Sequence, residues 1–139
     1  MLFRVAELRP EARRFLALAW LGAPAVELAL RTAGLRRTLG WIEEHAPARS
    51  RTGAVTLEEG AWLVRSAWRR HPLLRGRCLP QSVRQYHLHR RDGTPARLVV
   101  GVRRGDAKVL EAHAWVQRPD AAEPTEPFAP ILERGQVAA

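Results

Sequence analysis

Apolar positions recur at helical spacing through the first forty or so residues. Within Glu7–Leu21, a stretch rich in Ala, Leu and Arg, the residues Leu8, Phe15, Leu18 and Leu21 fall at near-helical intervals and predict a first helix. Gly22 and Pro24 interrupt that pattern. Ala25–Arg37 resumes it, with Leu28, Leu35 and Leu39 along one side and Pro24 suited to open the helix. From Glu44 to Thr56 periodicity fades among Pro47, Ser50, Thr52 and Gly53, the texture of a linker. Thr56-Leu57-Glu58-Glu59 is a capping-box pattern, and the helix it starts runs to about Arg70 with Leu57, Ala61, Val64 and Trp68 on its apolar face. His71-Pro72 ends it, and Leu73–Arg77 reads as a short loop. Pro80 suits the first turn of a following helix, which continues through Val83, Tyr86 and Leu88 until Asp92-Gly93 supplies a stop.

After Ala96 the period changes from helical to alternating. Arg97–Val102 and Val109–Gln117 predict two strands joined by a turn at Arg104-Gly105-Asp106, a β-hairpin. Pro119–Pro130 holds four prolines and three acids and reads as an extended loop, with a last short edge strand over Phe128–Leu132. The expected organisation is a helical part over 1–43, a linker over 44–56 and a core over 57–139, within one compact domain. A chain of 139 residues has room for a single hydrophobic core of its own.

Composition narrows the class. Apolar residues at 46% and charged residues at 27% describe a globular chain. The 23 basic residues, all arginine except Lys108, outnumber 14 acids and give a formal charge of +9. Such a surface attracts anions, whether an acidic peptide or a protein partner. A genome rich in Arg and Ala codons produces the same excess. The arginines are scattered and do not form a stripe interleaved with aromatics, which argues against nucleic acid as the partner. A single cysteine excludes an internal disulfide and all Cys₂ or Cys₄ zinc sites, so a cytoplasmic setting is the simplest expectation. Phe15–Leu30 is apolar but shorter than the ~20 residues of a membrane span and contains Gly22, Pro24 and Glu27. A buried helix is expected there, with no integral membrane segment and no signal peptide.

The chemistry rests on Cys78 and His113. Cys78 falls where a helix should begin, and there a cysteine meets unpaired backbone N–H groups and the positive end of the helix dipole, both of which favour thiolate. Arg75 and Arg77 flank it. Taken alone, a single cysteine is more often an inert core residue. His113 follows 35 residues later within Glu111-Ala112-His113-Ala114-Trp115-Val116, where alternation puts His113, Trp115 and Gln117 on one strand face. A rigidly held imidazole paired with a helix-capping cysteine is the makeup of a nucleophile and its general base. No spacing suggests a metal site, no cofactor is implied, and His71, His87 and His89 are expected on a helix surface.

Three motifs, in order, make the chain recognisable. Arg77-Cys78-Leu79-Pro80-Gln81-Ser82, then Gly93–Val102, then the Glu111–Val116 box closely resemble the transglutaminase-like leader peptidases of lasso-peptide biosynthesis, over roughly Leu57–Glu133. The resemblance implies an α+β fold of the papain and transglutaminase type, with N-terminal helices and the cysteine-bearing helix packed on a small antiparallel sheet. It also implies a Cys-His-acid peptidase that removes the leader from a ribosomally made precursor peptide before a separate cyclase closes the ring. The acid would be Glu123, with Asp120 as the alternative. Oxyanion or substrate contacts would come from the Cys78 backbone N–H, Gln81 and Trp115. The chain resembles the peptidase-only form of the family, which implies a separate leader-recognition protein as partner. Two other readings compete: a transglutaminase-like amidase or acyl transferase acting on another substrate, and a non-catalytic peptide-binding module on the same scaffold.

Overall fold

The computed structural model describes residues 7–45, 55–72, 74, 78–104, 110–120 and 129–135. Four helices precede three strands: α1 (Pro10–Thr32), α2 (Leu35–His45), α3 (Leu57–Arg69), α4 (Cys78–Asp92), β1 (Arg97–Arg104), β2 (Leu110–Gln117) and β3 (Ala129–Gly135). The fold is α+β.

α1 departs from the sequence expectation. It runs unbroken through Gly22 and Pro24 to Thr32, and the break comes at Gly34, whose φ of 87° is left-handed. Mid-helix, Gly costs about 1 kcal/mol and Pro about 3 relative to Ala. Packing offsets this: Phe15, Leu16, Ala19, Ala23 and Val26 keep one buried face going across the interruption. The glycine itself has a use. A methyl group at Gly22 would overlap the Arg84 guanidinium of α4, which donates through Nη2 to the Leu18 carbonyl. A continuous α1 is long and apolar enough to cross a membrane, so shortness no longer argues against a span. Its inward face packs on α3 and α4, while Leu21 and Leu28, expected on apolar faces, are exposed.

The other helix signals act as written. Thr56 Oγ1 accepts the Glu59 N–H at 3.1 Å and starts α3. At the end of α4, Gly93 has φ 85°, and the N–H groups of Gly93 and Thr94 both reach the His89 carbonyl, a C-cap that releases the chain into β1. β1 is the central strand of a sheet ordered β2-β1-β3, antiparallel to both neighbours. The β2 partner of Val99 is Trp115, and that of Gly101 is His113.

Two apolar clusters meet along α4. The first joins Phe15, Leu16 and Ala19 of α1 to Leu63, Val64, Ala67 and Trp68 of α3 and to Leu88. The second joins Leu39 and Ile42 of α2 to Val83, Tyr86 and Leu98. Glu43 closes the second, accepting from the Tyr86 hydroxyl at 3.1 Å and pairing with Arg134 of β3.

Candidate active site

Cys78 is the first residue of α4, half-buried and free of any disulfide. Pro80 fits in that first turn because the N–H it lacks would have no intrahelical partner. One turn on, the buried Ser82 donates its hydroxyl to the Ala114 carbonyl at 3.0 Å. Ala114 lies between His113 and Trp115, so this bond clamps the histidine-bearing stretch of β2 against the start of α4.

The consequence is an open cleft of about 580 Å³ whose lining includes Cys78 and Gln81 from α4, His113 and Trp115 from β2, and Arg65 and Arg69 from α3. His113 is exposed to the cleft side, and its ring lies 5.9 Å from the Trp115 indole, tilted by 28°. The indole is held in turn, Trp115 Nε1 donating to Gln117 Oε1 at 2.9 Å. Buried Trp68 forms part of the wall and donates to Glu27 at 3.4 Å. A thiol and an imidazole opening onto one cavity, beside a neutral amide and an indole wall, form a set suited to acyl transfer through sulfur.

The candidate acids are placed differently. The Asp120 carboxylate is exposed and forms a two-pronged pair with Arg118, at 3.0 and 3.2 Å. Glu123 lies outside the described residues. Glu133 sits on β3, on the far side of β1 from His113, and pairs with Arg97. Among the described residues, no group of three His, Cys, Asp or Glu side chains could hold a metal ion.

The α4 histidines correct the expectation of surface residues. His89 is fully buried; its Nε2 lies 3.3 Å from Gln85 Nε2, its Nδ1 has no partner, and Phe15 is 5.1 Å away, ring to ring. A methyl group at Gly60 would overlap this imidazole, so the glycine makes room for it. Burial pushes the His89 pKa down to about 4, against a small opposing effect of Asp92. His87, also pushed down to about 4 by burial and then by Arg84, Arg91 and Arg90, accepts from Arg84 Nη1 at 2.9 Å through Nδ1. His71 is half-buried and lies 5.0 Å from the Trp20 ring.

Sequence reasoning passed over Arg65, Arg69 and Gln85. Two arginines one turn apart on a polar helix face give no signal of their own, since only the fold brings that face beside Cys78. Gln85 does structural work, donating to the Leu57 carbonyl at 2.9 Å while it reaches His89.

Residues 20–133 match the family model of the transglutaminase-like superfamily. The chain belongs to that superfamily. No curated protein and no solved structure matches it. The transglutaminase-like match begins at residue 20, within α1, and takes in α2. Membership of the transglutaminase-like superfamily accords with four helices on a small antiparallel sheet and with chemistry of the cysteine protease or acyltransferase type.

Proposed function

We propose that the chain is a cysteine peptidase that removes the leader from a ribosomally made lasso-peptide precursor before a separate cyclase closes the ring. The observation that carries the catalytic part is that Cys78 and His113 line one cleft. The resemblance of the Cys78, Gly93–Val102 and His113 motifs to the leader peptidases supports the substrate.

In this reading His113 accepts the thiol proton as Cys78 Sγ attacks the carbonyl at the leader-core junction. The tetrahedral oxygen is met by the Cys78 backbone N–H, with Gln81 within the same cleft as a second donor. On collapse the C–N bond breaks, His113 returns the proton to the leaving amine, and the leader remains as a thioester on Cys78. Water, deprotonated by His113, then releases it. Trp115 walls the imidazole. Because Asp120 is committed to Arg118, Glu123 is the preferred carboxylate to orient the ring. No cofactor or metal takes part. A separate recognition protein delivers the leader, and the cyclase takes the core.

The test is incubation with a candidate precursor peptide and its recognition protein, read by mass spectrometry. A single cut at the leader-core junction, lost in Cys78→Ala and His113→Ala, is the expected result. An intact precursor with a folded enzyme would sink the leader-peptidase assignment. Rapid alkylation of Cys78 by iodoacetamide, slowed in His113→Ala, would in that case still support a cysteine hydrolase or acyl transferase acting elsewhere.

A further inference from the structure

The cleft has a charged side that the bond-breaking chemistry does not use. Arg65 and Arg69 stand one helical turn apart on α3, both exposed and both lining the cavity that holds Cys78 and His113. Another part of the lining, on β2, presents an imidazole, an indole and Val116. No described acid pairs with either arginine: the described carboxylate pairs join Glu59 to Arg9, Glu43 to Arg134, Glu133 to Arg97 and Asp120 to Arg118. The helix beneath keeps the two guanidinium groups from turning inward, because its other side carries Leu63 and Ala67 into the core. Two cations on one wall of a concave site repel a cationic ligand and attract an anionic one more strongly than the same charges would on an open surface.

We propose that Arg65 and Arg69 form a carboxylate-reading wall, so that the peptide held for attack by Cys78 carries an Asp or Glu side chain that lies along α3. This rests on the peptidase reading and extends it to substrate choice. The planar fork of arginine matches a carboxylate with two parallel hydrogen bonds, which gives selectivity over a merely polar Asn or Gln. Two arginines a turn apart hold one acidic residue between them, or two acids at alternate positions of an extended peptide.

Two measurements test the wall. The first is independent of peptide cleavage: the rate of Cys78 alkylation by iodoacetate, an anion, is divided by the rate with neutral iodoacetamide. Arg65→Gln/Arg69→Gln is expected to lower that ratio by about tenfold relative to the intact chain, and added salt to lower it in the intact chain only. An unchanged ratio would overturn the wall. The second uses a mixed library of protein-digest peptides, with cut sites read by mass spectrometry. Enrichment of Asp or Glu at one fixed distance from the cut, abolished in the double variant and turned into a preference for Lys or Arg in Arg65→Glu/Arg69→Glu, would bear the proposal out. Cuts at a fixed distance from the peptide C-terminus without acid enrichment would overturn it and assign the carboxylate to the chain end. Failure to cut any library peptide, together with a ratio that falls in the double variant, would remove the acidic-peptide assignment while retaining the anion-attracting wall; the peptidase reading itself is decided by the precursor with its recognition protein.

Discussion

His89 makes the stability of this fold sensitive to acid in a way that can be worked out beforehand. In the folded chain its imidazole is sealed among Phe15, Gly60 and Gln85, and burial lowers its pKa from 6.5 to about 4. In the unfolded chain it returns to 6.5. Above that value the ring is neutral in both states and contributes nothing to pH dependence. As pH falls from 6.5 towards 4 the unfolded chain takes up a proton that the folded chain refuses, so stability declines, and below 4 the loss is complete. The full gap corresponds to about 3 kcal/mol, of which about 2 kcal/mol is lost between pH 7 and pH 5. His87, also pushed down to about 4 by burial, adds a loss of its own over the same window. Urea unfolding followed by tryptophan fluorescence at pH 7, 6 and 5 measures this directly. Wild type should lose stability steadily across the series, and His89→Gln, whatever its stability at pH 7, should lose about 2 kcal/mol less than wild type between the end points. If the variant and wild type show parallel pH dependence, the ring is not held neutral by burial and the reasoning fails.

Two further outcomes follow from close packing. Gly60→Ala should destabilise by roughly 2 kcal/mol despite its better helix propensity, because the new methyl overlaps a ring that cannot leave the core; combining it with His89→Ala should recover part of the loss, as thermal melts of the double-mutant cycle would reveal. Ser82→Ala should cost only about 1 kcal/mol in stability yet slow turnover about tenfold or more, since the hydroxyl holds the His113 stretch against α4; equal, small losses in both would make Ser82 a purely structural residue.

Elements governed by their own neighbours in sequence were the legible ones. Thr56 with Glu59 marked the start of α3, Asp92-Gly93 marked the end of α4, and the alternation through Val99, Trp115 and their neighbours gave the paired strands. What could not be read depends on residues far away in the chain. Gly22 and Pro24 look like a break until Arg84, a member of α4, occupies the space over Gly22 and supplies a donor to Leu18. His89 looks like one of several polar residues on a basic helix until Gly60 and Phe15 close over it. The same holds at the site. Cys78 and His113 carry local signals, a proline-marked helix start and a strand box, whereas Arg65 and Arg69 gain meaning only once α3 forms a wall of the same cleft. The strand order is a third case, because nothing in Phe128–Leu132 says that β3 pairs with β1 and not with β2.

α4 gives Leu88 to one apolar cluster and Val83 and Tyr86 to the other. It therefore acts as a shared axle, and the two halves of the molecule cannot turn loose independently. Trimming the chain to begin after α2 would strip Phe15 from His89, Leu39 and Ile42 from the second cluster, and Glu43 from Tyr86, leaving the axle without its bearings on both sides. The shortest stretch that still presents the thiol in its present setting thus reaches back to α1, and engineering a smaller catalyst from this scaffold means replacing those helices, not deleting them.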